Sequence, residues 1–464
     1  MMCGDGMLPW ITFVVSTGGF LFGYDTGVTS GGITMVANSF EIGSAYEKEL
    51  FVSSTVIAAA LGCVVTAYGK GAAFGRISAL LTAGIAYLVG AVIVAIAPTF
   101  SVAVIGRFVL GLGVGVESVM GPMMLAETAG PTKRASVITC HSFSIVLGQI
   151  VACCINIGAQ HLSDDINWRL SMGIAALPAL FLVISLFSIP ESPRYLICNG
   201  RIDEARQVFL RVQGKTEGVC EEEFAALLKA TREQSIRQDK ETLVSLWARP
   251  GIRRAFLVAI FLHIGAQASG INSIMYYGAT ILEQAGFGGS RSIDLTALLA
   301  TAQGAGLGIS VVLYSRLERR PVLCASIFCV FLGLTVLAAS FNISRWLAVG
   351  GVLFYLFTFG VGFSSGPYIV ANEIFPTYAR QVGSAQGATA MWLTNLLVSA
   401  TFLTLSDAIG VGRTFMIYAA CALLSLVFVA VELPETQGRT LEEISLKFSM
   451  NDSSSELSPL LDVA

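Results

Sequence analysis

The sequence predicts an all-α integral membrane protein whose twelve transmembrane helices form two pseudo-symmetric halves of six. Three observations support this fold class. Of the 464 residues, 54% are hydrophobic and only 13% are charged, which is about half the charged fraction of a soluble domain. The apolar residues gather in twelve runs, each long enough to cross about 30 Å of hydrocarbon. Finally, charged motifs recur at one offset between the first six runs and the last six.

Six apolar runs precede a polar middle segment and six follow it. The first six cover 8–35, 50–68, 77–97, 100–126, 134–158 and 169–189. The last six cover 252–282, 294–315, 321–340, 345–372, 380–408 and 411–432. We therefore expect a six-helix bundle over 1–189, an intracellular helical linker domain over 190–250, a second bundle over 251–432 and a cytoplasmic tail over 433–464. The first run lacks a basic start and a cleavage site, so we interpret it as a retained helix.

Basic residues concentrate in the short loops of one side. They are Lys70, Arg76, Lys133, Arg134, Arg316, Arg319, Arg320 and Arg380. Because cytoplasmic loops carry an excess of Lys and Arg, both termini and the linker are predicted to be cytoplasmic. None of the ten cysteines falls in a loop placed outside, so we expect no disulfides. The chain has no basic arm for a nucleic-acid partner, and membrane lipids are its expected surroundings.

An internal repeat supports the division into six and six. Glu127 precedes Arg134 by seven residues, as Glu373 precedes Arg380. The pair Pro190-Glu191 recurs as Pro434-Glu435, and Gly75-Arg76 has a counterpart in Glu318-Arg319. The three offsets are all about 245 residues, which indicates two parallel halves with a site near the membrane midplane between them.

At this level of detail the chain resembles the sugar porters of the major facilitator superfamily, from about residue 18 to 445. The stretches that carry the resemblance are Phe22–Gly27, Gly106–Phe108, Pro190–Arg194, Ser269–Asn272, Tyr276–Tyr277 and Pro434–Arg439. The run Gly270–Tyr277 is most similar to the proton-coupled myo-inositol carriers, and hexose carriers differ from it only slightly.

The resemblance implies a secondary active transporter rather than an enzyme, with no cofactor and no metal. It implies proton-coupled symport of myo-inositol or a similar polyol or sugar by alternating access, in the plasma membrane rather than an internal one. A proton-coupled or facilitative hexose (glucose) transporter is the alternative. A nutrient sensor on the same scaffold is a further alternative, against which the short tail after the last span argues.

Polar side chains inside apolar runs are the candidate substrate contacts. A polyhydroxy substrate exchanges its hydrogen bonds to water for bonds to neutral donors and acceptors, with an aromatic face for its C–H groups. The candidates are Gln149, Gln267, Asn272, Tyr276, Gln303, Trp392 and Asn395. Buried amides also join helices to each other, which is the alternative reading of each one. Ala266, Ser142 and Tyr368 replace the Gln, Gln and Trp that are usual in the family, so the substrate's hydroxyl pattern or pose is expected to differ from that of glucose.

Asp25 is the candidate proton site. A carboxylate in the middle of a transmembrane helix costs roughly 2.5–3.5 kcal/mol on insertion scales, so it needs a partner or a function. In the family, an Asp at this place marks proton-coupled members, and Arg107 matches the arginine beside it. A static ion pair is the alternative. Glu117, a second carboxylate in the fourth run, remains open between a second proton site and an interhelical hydrogen bond, and the histidines are expected to be neutral.

Charges at the cytoplasmic helix ends form a candidate latch between the halves. Its members are Glu127, Arg134, Arg194, Arg316, Glu373, Arg380 and Glu435. In the family such a network holds the outward-facing state closed on the inside. The alternative reading is that these charges only set the topology.

Overall fold

The computed structural model describes residues 6–68, 75–130, 133–214, 221–240, 243–341, 343–375 and 379–436. The first half contains α1 (Leu8–Ser39), α2 (Ala45–Tyr68), α3 (Arg76–Ile96), α4 (Phe100–Thr128), α5 (Arg134–Ala159), α6 (Asp164–Gly173) and α7 (Ala176–Leu186). Four helices follow between the halves: α8 (Pro193–Cys198), α9 (Ile202–Gln213), α10 (Glu221–Lys240) and α11 (Leu243–Ala248).

The second half contains α12 (Pro250–Ala268), α13 (Ile271–Gln284), α14 (Gly289–Arg316), α15 (Arg319–Ser340) and α16 (Arg345–Thr358). It continues through a π-helical turn (Phe359–Phe363), α17 (Gly366–Ile374), α18 (Arg380–Ser399), α19 (Phe402–Ile409) and α20 (Val411–Glu432). Eight of the fourteen predicted latch and substrate side chains lie in α12, α13, α14 or α18.

The helices of the described residues agree with the predicted spans. Ten segments are long and apolar enough to cross a membrane, and the bent pair Val382–Ser399 and Phe402–Ile409 makes an eleventh. α1 is not among them, although its 32 residues are long enough. It carries Asp25 and many Gly, Ser and Thr residues, and it packs in the interior against α5, α13 and α4. α1 is therefore the twelfth helix, and its polar side chains face protein.

Each half has its own packing, and three helix pairs make the most extensive contacts between the halves. α1 packs on α5, and both α2 and α3 pack on α4, whereas α12 packs on α18 and α15 packs on α16 and α20. The halves meet where α1 contacts α13, α5 contacts α14 and α2 contacts α18. The α1–α5 crossing is close because Gly23 and Gly148 have no side chain: a Cβ on either would overlap the backbone of the other helix.

The two faces of the molecule are distinguished by the linker. The backbone N–H of Met7, just before α1, donates to the carbonyl of Arg211 in α9 (3.2 Å), so α1 begins beside the linker helices. We call this side the linker face. The opposite side, where α1 ends and α2 begins, is the far face.

Three spans of the second half are interrupted. The seventh breaks between α12 and α13 at Gly270, whose φ is +84°, and Tyr277 has non-helical angles about two turns later (φ −111°, ψ 20°). The tenth contains the π-helical turn, and the eleventh bends by 41° between α18 and α19. These breaks free backbone groups and turn side chains toward the space between the halves.

We predict that Gly270→Ala destabilises the protein. Its left-handed backbone costs an L-residue roughly 1–2 kcal/mol, and a Cβ there would overlap the ring of Tyr418. The thermal unfolding midpoint in detergent is expected to fall by several degrees. Gly350→Ala in α16 is the matched control, because no atom lies within 4 Å of the added Cβ. An equal melting temperature for the two variants would contradict the prediction.

Candidate functional site

Asp25 and Arg107 form a buried ion pair between α1 and α4. One guanidinium nitrogen of Arg107 (Nη1) donates to Asp25 Oδ1, and the other (Nη2) donates to Thr29 Oγ1 (3.0 Å). The Thr29 hydroxyl donates in turn to the backbone carbonyl of Asp25 (2.7 Å). Asp25 is 6% exposed and Arg107 is 2% exposed. The Asp25 carboxylate and the Thr29 hydroxyl, one helical turn later, therefore both bind Arg107.

The surroundings of the pair contain little polar compensation. The guanidinium of Arg107 lies over the ring of Phe51 (5.2 Å), and its Nε is buried with no hydrogen-bond partner among the described residues. A cavity with room for about one water molecule lies beside the pair, and Tyr24 and Tyr87 help to line it. Protonation of Asp25 would leave Arg107 as an uncompensated buried charge, which is strongly unfavourable. The pair is thus sensitive to a single proton.

The break of the seventh span brings two predicted substrate side chains together. Gln267 is in α12 and Asn272 is in α13, five residues later, a spacing that would separate them on an unbroken helix. In the structure Asn272 Nδ2 donates to Gln267 Oε1 (2.7 Å), because Gly270 redirects the chain between them. Both side chains remain partly exposed.

A hydrogen bond within the second half lies close to α1. Asn395 Nδ2 in α18 donates to Tyr276 Oη in α13 (3.5 Å), and the Tyr276 side chain lies near Thr26 of α1. Thr26 directly follows Asp25 in α1. The sequence predicted Tyr276 and Asn395 but not Thr26, whose role depends on how α1 crosses α13.

Trp392 makes a second contact across the halves. Its Nε1 donates to Ser118 Oγ in α4 (3.3 Å), and its ring lies 5.7 Å from the ring of Phe22 in α1. The indole is fully buried. Trp392 therefore contacts both halves. Its aromatic partner Phe22 lies on α1, three residues before Asp25.

Gln149 and Gln303 lie on the two helices of the α5–α14 interface. Gly304, next to Gln303, is close enough to α5 that a Cβ would meet Val146 at 2.6 Å. The amide oxygens of Gln149, Gln303 and Asn395 are buried and accept no hydrogen bond from the described residues. Gln149 and Gln303 lie at the α5–α14 interface and Asn395 lies on α18, and free amide acceptors of this kind are suited to hydroxyl donors.

Further polar side chains lie near these helices. Tyr368 and Gln386 were not predicted as substrate contacts, and Tyr277 has a structural role. Tyr368 is 47% exposed, although it lies within a buried span, and its ring meets the edge of His263 (5.0 Å). Gln386 in α18 also has a buried, unpartnered amide oxygen, and no periodic signal in the sequence distinguishes it. The Tyr277 hydroxyl, in contrast, donates to the carbonyl of Ser399 (2.8 Å) and joins α13 to α18.

At the linker face the predicted repeat corresponds to two equivalent carboxylate networks. In the first half, Glu127 accepts from Arg76 Nη2 (2.9 Å) and from Ser192 Oγ (2.5 Å), and Glu191 accepts from the backbone N–H of Arg76 (3.0 Å). This network ties the start of α3, the end of α4 and the start of α8 together.

The second half repeats the same bonds. Glu373 accepts from Arg319 Nη2 (3.1 Å) and from Thr436 Oγ1 (2.5 Å), and Glu435 accepts from the backbone N–H of Arg319 (3.0 Å). Glu127 and Glu373 thus pair with Arg76 and Arg319 of their own halves. The sequence analysis named Arg76 and Arg319 in the internal repeat but not among the latch candidates. Their equivalent positions in the repeat were the signal that could have added them to the latch.

The remaining latch candidates are arginines that approach one another. Arg134 Nε donates to the carbonyl of Ala126 (3.2 Å), and Arg380 Nη2 donates to that of Phe375 (3.4 Å). Burial lowers the pKa of both guanidinium groups, and the nearby charges of Arg194 and Arg380 lower the pKa of Arg134 further. Like charges from both halves therefore repel at the linker face. Arg316 lies exposed at the end of α14.

The far face is closed by bonds between the halves. Glu49 of α2 accepts from the backbone N–H of Thr404 (2.8 Å) and from its hydroxyl (2.5 Å). Thr404 lies in the first turn of α19, where backbone N–H groups have no intrahelical partner. Gln160 Nε2 at the end of α5 donates to Asp294 Oδ1 in α14 (2.8 Å). The sequence analysis did not identify Glu49, although it is a buried carboxylate.

Two six-helix halves around a buried polar interface define a membrane transport protein of the major facilitator type. A family model described as "Sugar (and other) transporter" matches residues 11–448. The chain belongs to this sugar transporter family, and the predicted family and fold class are confirmed.

Individual relatives cover nearly the whole chain. The "Major myo-inositol transporter IolT" of Bacillus subtilis is 32% identical over 96% of this chain and 95% of its own length. The human "Proton myo-inositol cotransporter" is 28% identical over 95% of this chain and 82% of its own. Among solved structures, the partially occluded inward open xylose transporter XylE from E. coli superimposes with a TM-score of 0.80 at 24% identity, over 94% of this chain and 99% of that one.

We predict that Glu49→Gln opens the far face. A hydrogen bond to a charged acceptor contributes roughly 1.5–3 kcal/mol, so losing part of this interaction is expected to raise the far-face-open population about tenfold. Spin labels at Tyr46 and Asp407, both exposed, would report the opening as a longer distance component. Glu47→Gln, two residues earlier on the same helix, is the control. Identical distance distributions for Glu49→Gln and Glu47→Gln would refute a closing role for Glu49.

Proposed function

We propose that this protein is a proton-coupled symporter of myo-inositol or a similar polyol or sugar. The observation that carries the proposal is the arrangement of the buried Asp25–Arg107 pair, the adjacent Thr26 and, near Thr26, the Tyr276–Asn395 hydrogen bond. It joins a group that can take up a proton to an amide that can bind a hydroxyl, and it crosses from one half to the other.

The chemistry of the candidate site favours a neutral polyhydroxy substrate. The predicted contacts are amides and aromatic rings, and the buried amide oxygens of Gln149, Gln303 and Asn395 have free acceptor capacity. Such groups recognise hydroxyls, while the indole of Trp392 can cover a face of C–H groups. The partly exposed Gln267 and Asn272, already bonded to each other, would open their bond to receive a substrate. A proton-coupled hexose carrier is the second candidate, since amides bind the hydroxyls of either ring.

The coupling mechanism follows from the charge of the pair. With Asp25 ionised, Arg107 is neutralised and α1 is fixed to α4. Protonation of Asp25 removes that neutralisation, so Arg107 retains only Thr29 and Phe51 as close partners. The loss of the ion pair changes the position of Thr26 and hence the Tyr276–Asn395 contact. We infer that the halves then rock about the site, and that breaking Glu49–Thr404 accompanies opening of the far face.

Orientation and location are parts of the same proposal. The basic residues of the linker face support a cytoplasmic position for it and for both termini. Proton-driven uptake fits a plasma membrane, where the outside can be the acidic side. In this orientation the far face is the extracellular one. Repulsion between the arginines at the linker face opposes closure of the linker face. Within this proposal the chain acts as a carrier and performs no enzymatic reaction.

We predict that Asp25→Asn abolishes proton-driven accumulation. Asn preserves the side-chain volume but cannot take up a proton. In proteoliposomes with an inside-negative potential of 100 mV, one transported charge supplies about 2.3 kcal/mol, or roughly fifty-fold accumulation of a neutral substrate. The wild type should concentrate labelled myo-inositol and acidify the lumen. The variant should at most equilibrate the label.

The control for this experiment is Asp165→Asn, the same change at an exposed carboxylate of α6, which should behave as the wild type does. Glucose and xylose are measured in parallel, because accumulation of glucose instead of myo-inositol would select the hexose alternative. An Asp25→Asn protein that still concentrates substrate with an unchanged pH optimum would show that the proton binds elsewhere.

We predict that Gln303→Ala and Asn395→Ala each weaken substrate binding. Each change removes a hydrogen bond worth roughly 0.5–1.5 kcal/mol net, which corresponds to about a two- to tenfold rise in the Kd for myo-inositol. Tryptophan fluorescence titration in detergent would measure the Kd, with Asn199→Ala in the exposed linker as control. Unchanged affinity in both variants would place the substrate elsewhere.

A further inference from the structure

A second buried acid lies in the first half, apart from Asp25. Glu117 in α4 is 0% exposed, and its Oε1 lies 2.8 Å from Nε2 of His141 in α5. The other carboxylate oxygen, Oε2, has no partner among the described residues. His141 keeps 4% side-chain exposure. The imidazole is therefore the less enclosed member of the pair.

Glycines make the space for this pair. A Cβ on Gly18 of α1 would lie 2.7 Å from Glu117 Cγ, and a Cβ on Gly121 of α4 would lie 3.0 Å from His141 Nε2. A Cβ on Gly19 would lie equally close to the imidazole. Glu117 and His141 thus fill a gap where α1, α4 and α5 meet, and no larger side chain would fit beside them.

Electrostatics requires the pair to hold a proton. An ionised Glu117 beside a neutral imidazole would be a net negative charge in a fully buried position, with one oxygen unbonded, which is strongly unfavourable. One shared proton makes the pair neutral. A second proton gives a cationic pair whose proton can leave through His141.

The pair lies between the Asp25 site and the linker face. Gly18, which contacts Glu117, precedes Asp25 by seven residues in α1, or about 10 Å along a helix, toward the end at the linker. Tyr87 of α3 packs against Gly113, about one turn before Glu117 in α4, and it interacts electrostatically with both Glu117 and Asp25. It also lines the water-sized cavity beside Asp25 and Arg107, and its hydroxyl has no partner among the described residues.

The groups around Glu117 come from four helices. Gly18 approaches from α1, Tyr87 from α3 and His141 from α5. From α2, the backbone of Cys63 packs against Gly115, close to Glu117 in α4. Of these groups, Tyr87 and His141 are the two that can carry a proton to and from Glu117.

We propose that Glu117 and His141 form a second proton-binding site that receives the transported proton from Asp25 and releases it toward the linker face. Tyr87 and one water in the adjacent cavity carry the proton to Glu117, the hydroxyl accepting one proton as it donates its own. The pair then holds two protons and Asp25 is again ionised against Arg107. One proton leaves from His141, which returns the pair to one. This inference rests on the proposed proton symport.

The test separates proton transfer from substrate exchange. Wild type, Glu117→Gln, His141→Gln and Tyr87→Phe are reconstituted in proteoliposomes. Counterflow of labelled myo-inositol at equal pH on both sides requires no net proton movement, so each variant should remain within about twofold of the wild type. Uptake driven by a pH gradient, followed with a lumenal pH dye, should fall at least about tenfold and have a shifted pH profile.

Two further proteins complete the test. His161→Gln, at an exposed far-face position, is the control for a histidine change and should behave as the wild type. The double variant Glu117→Gln with His141→Gln keeps an amide hydrogen bond in the gap without a titratable group. Under the proposal its counterflow is normal while driven uptake stays low.

The outcomes distinguish this inference from the proposed function. If the wild type accumulates substrate and the Glu117 and His141 variants do so at the same rate and pH profile, the second site is refuted and the symport stands. If counterflow and driven uptake fall together and the double variant restores both, the pair is only structural. If the wild type itself shows no proton-driven accumulation, the proposed function and this inference both fail.

Discussion

The burial of one charged pair constrains most of the first half. Asp25 and Arg107 are each nearly inaccessible, and neither could remain ionised at its position without the other. This requirement fixes α1 against α4, and the glycines of α1 and α5 bring a third helix into contact. Because Thr26 follows Asp25, the same constraint extends to Tyr276 and the second half. A local change of charge thus has a direct route to the interface at which the halves move.

The two faces have opposite electrostatic character. The far face is closed by hydrogen bonds from neutral donors, in which one carboxylate accepts from the start of a helix and another accepts from an amide. At the linker face, carboxylates pair inside each half, and arginines from both halves are left near one another. The internal networks make each half stiff at that face, whereas the contact between the halves is repulsive. The contacts described here are therefore sufficient to close the far face and to weaken the contact between the halves at the linker face.

The sequence was sufficient for the parts of this structure that have local signals. Apolar length predicted the spans, and the repeated Glu–Arg motifs predicted two equivalent halves. The cost of Asp25 predicted a partner, which the family resemblance assigned to Arg107. The contacts that depend on helix crossings were not predictable: Glu127 bonding Arg76 rather than Arg134, Glu117 meeting His141, and Glu49 capping α19. Gln267 and Asn272 meet only because Gly270 breaks a helix, and their spacing alone argued against the contact.

The weak apolarity of α1 has a consequence for how the protein is made. Its Gly, Ser, Thr and Asp residues make this helix less apolar than the other spans, and its partners α4 and α5 follow it in the chain. Asp25 gains its partner Arg107 only when α4 is in place, and the glycine-lined face of α1 is covered only when α5 is present. Assembly of the first half is therefore a cooperative event in which α1 needs both later helices to reach its native packing.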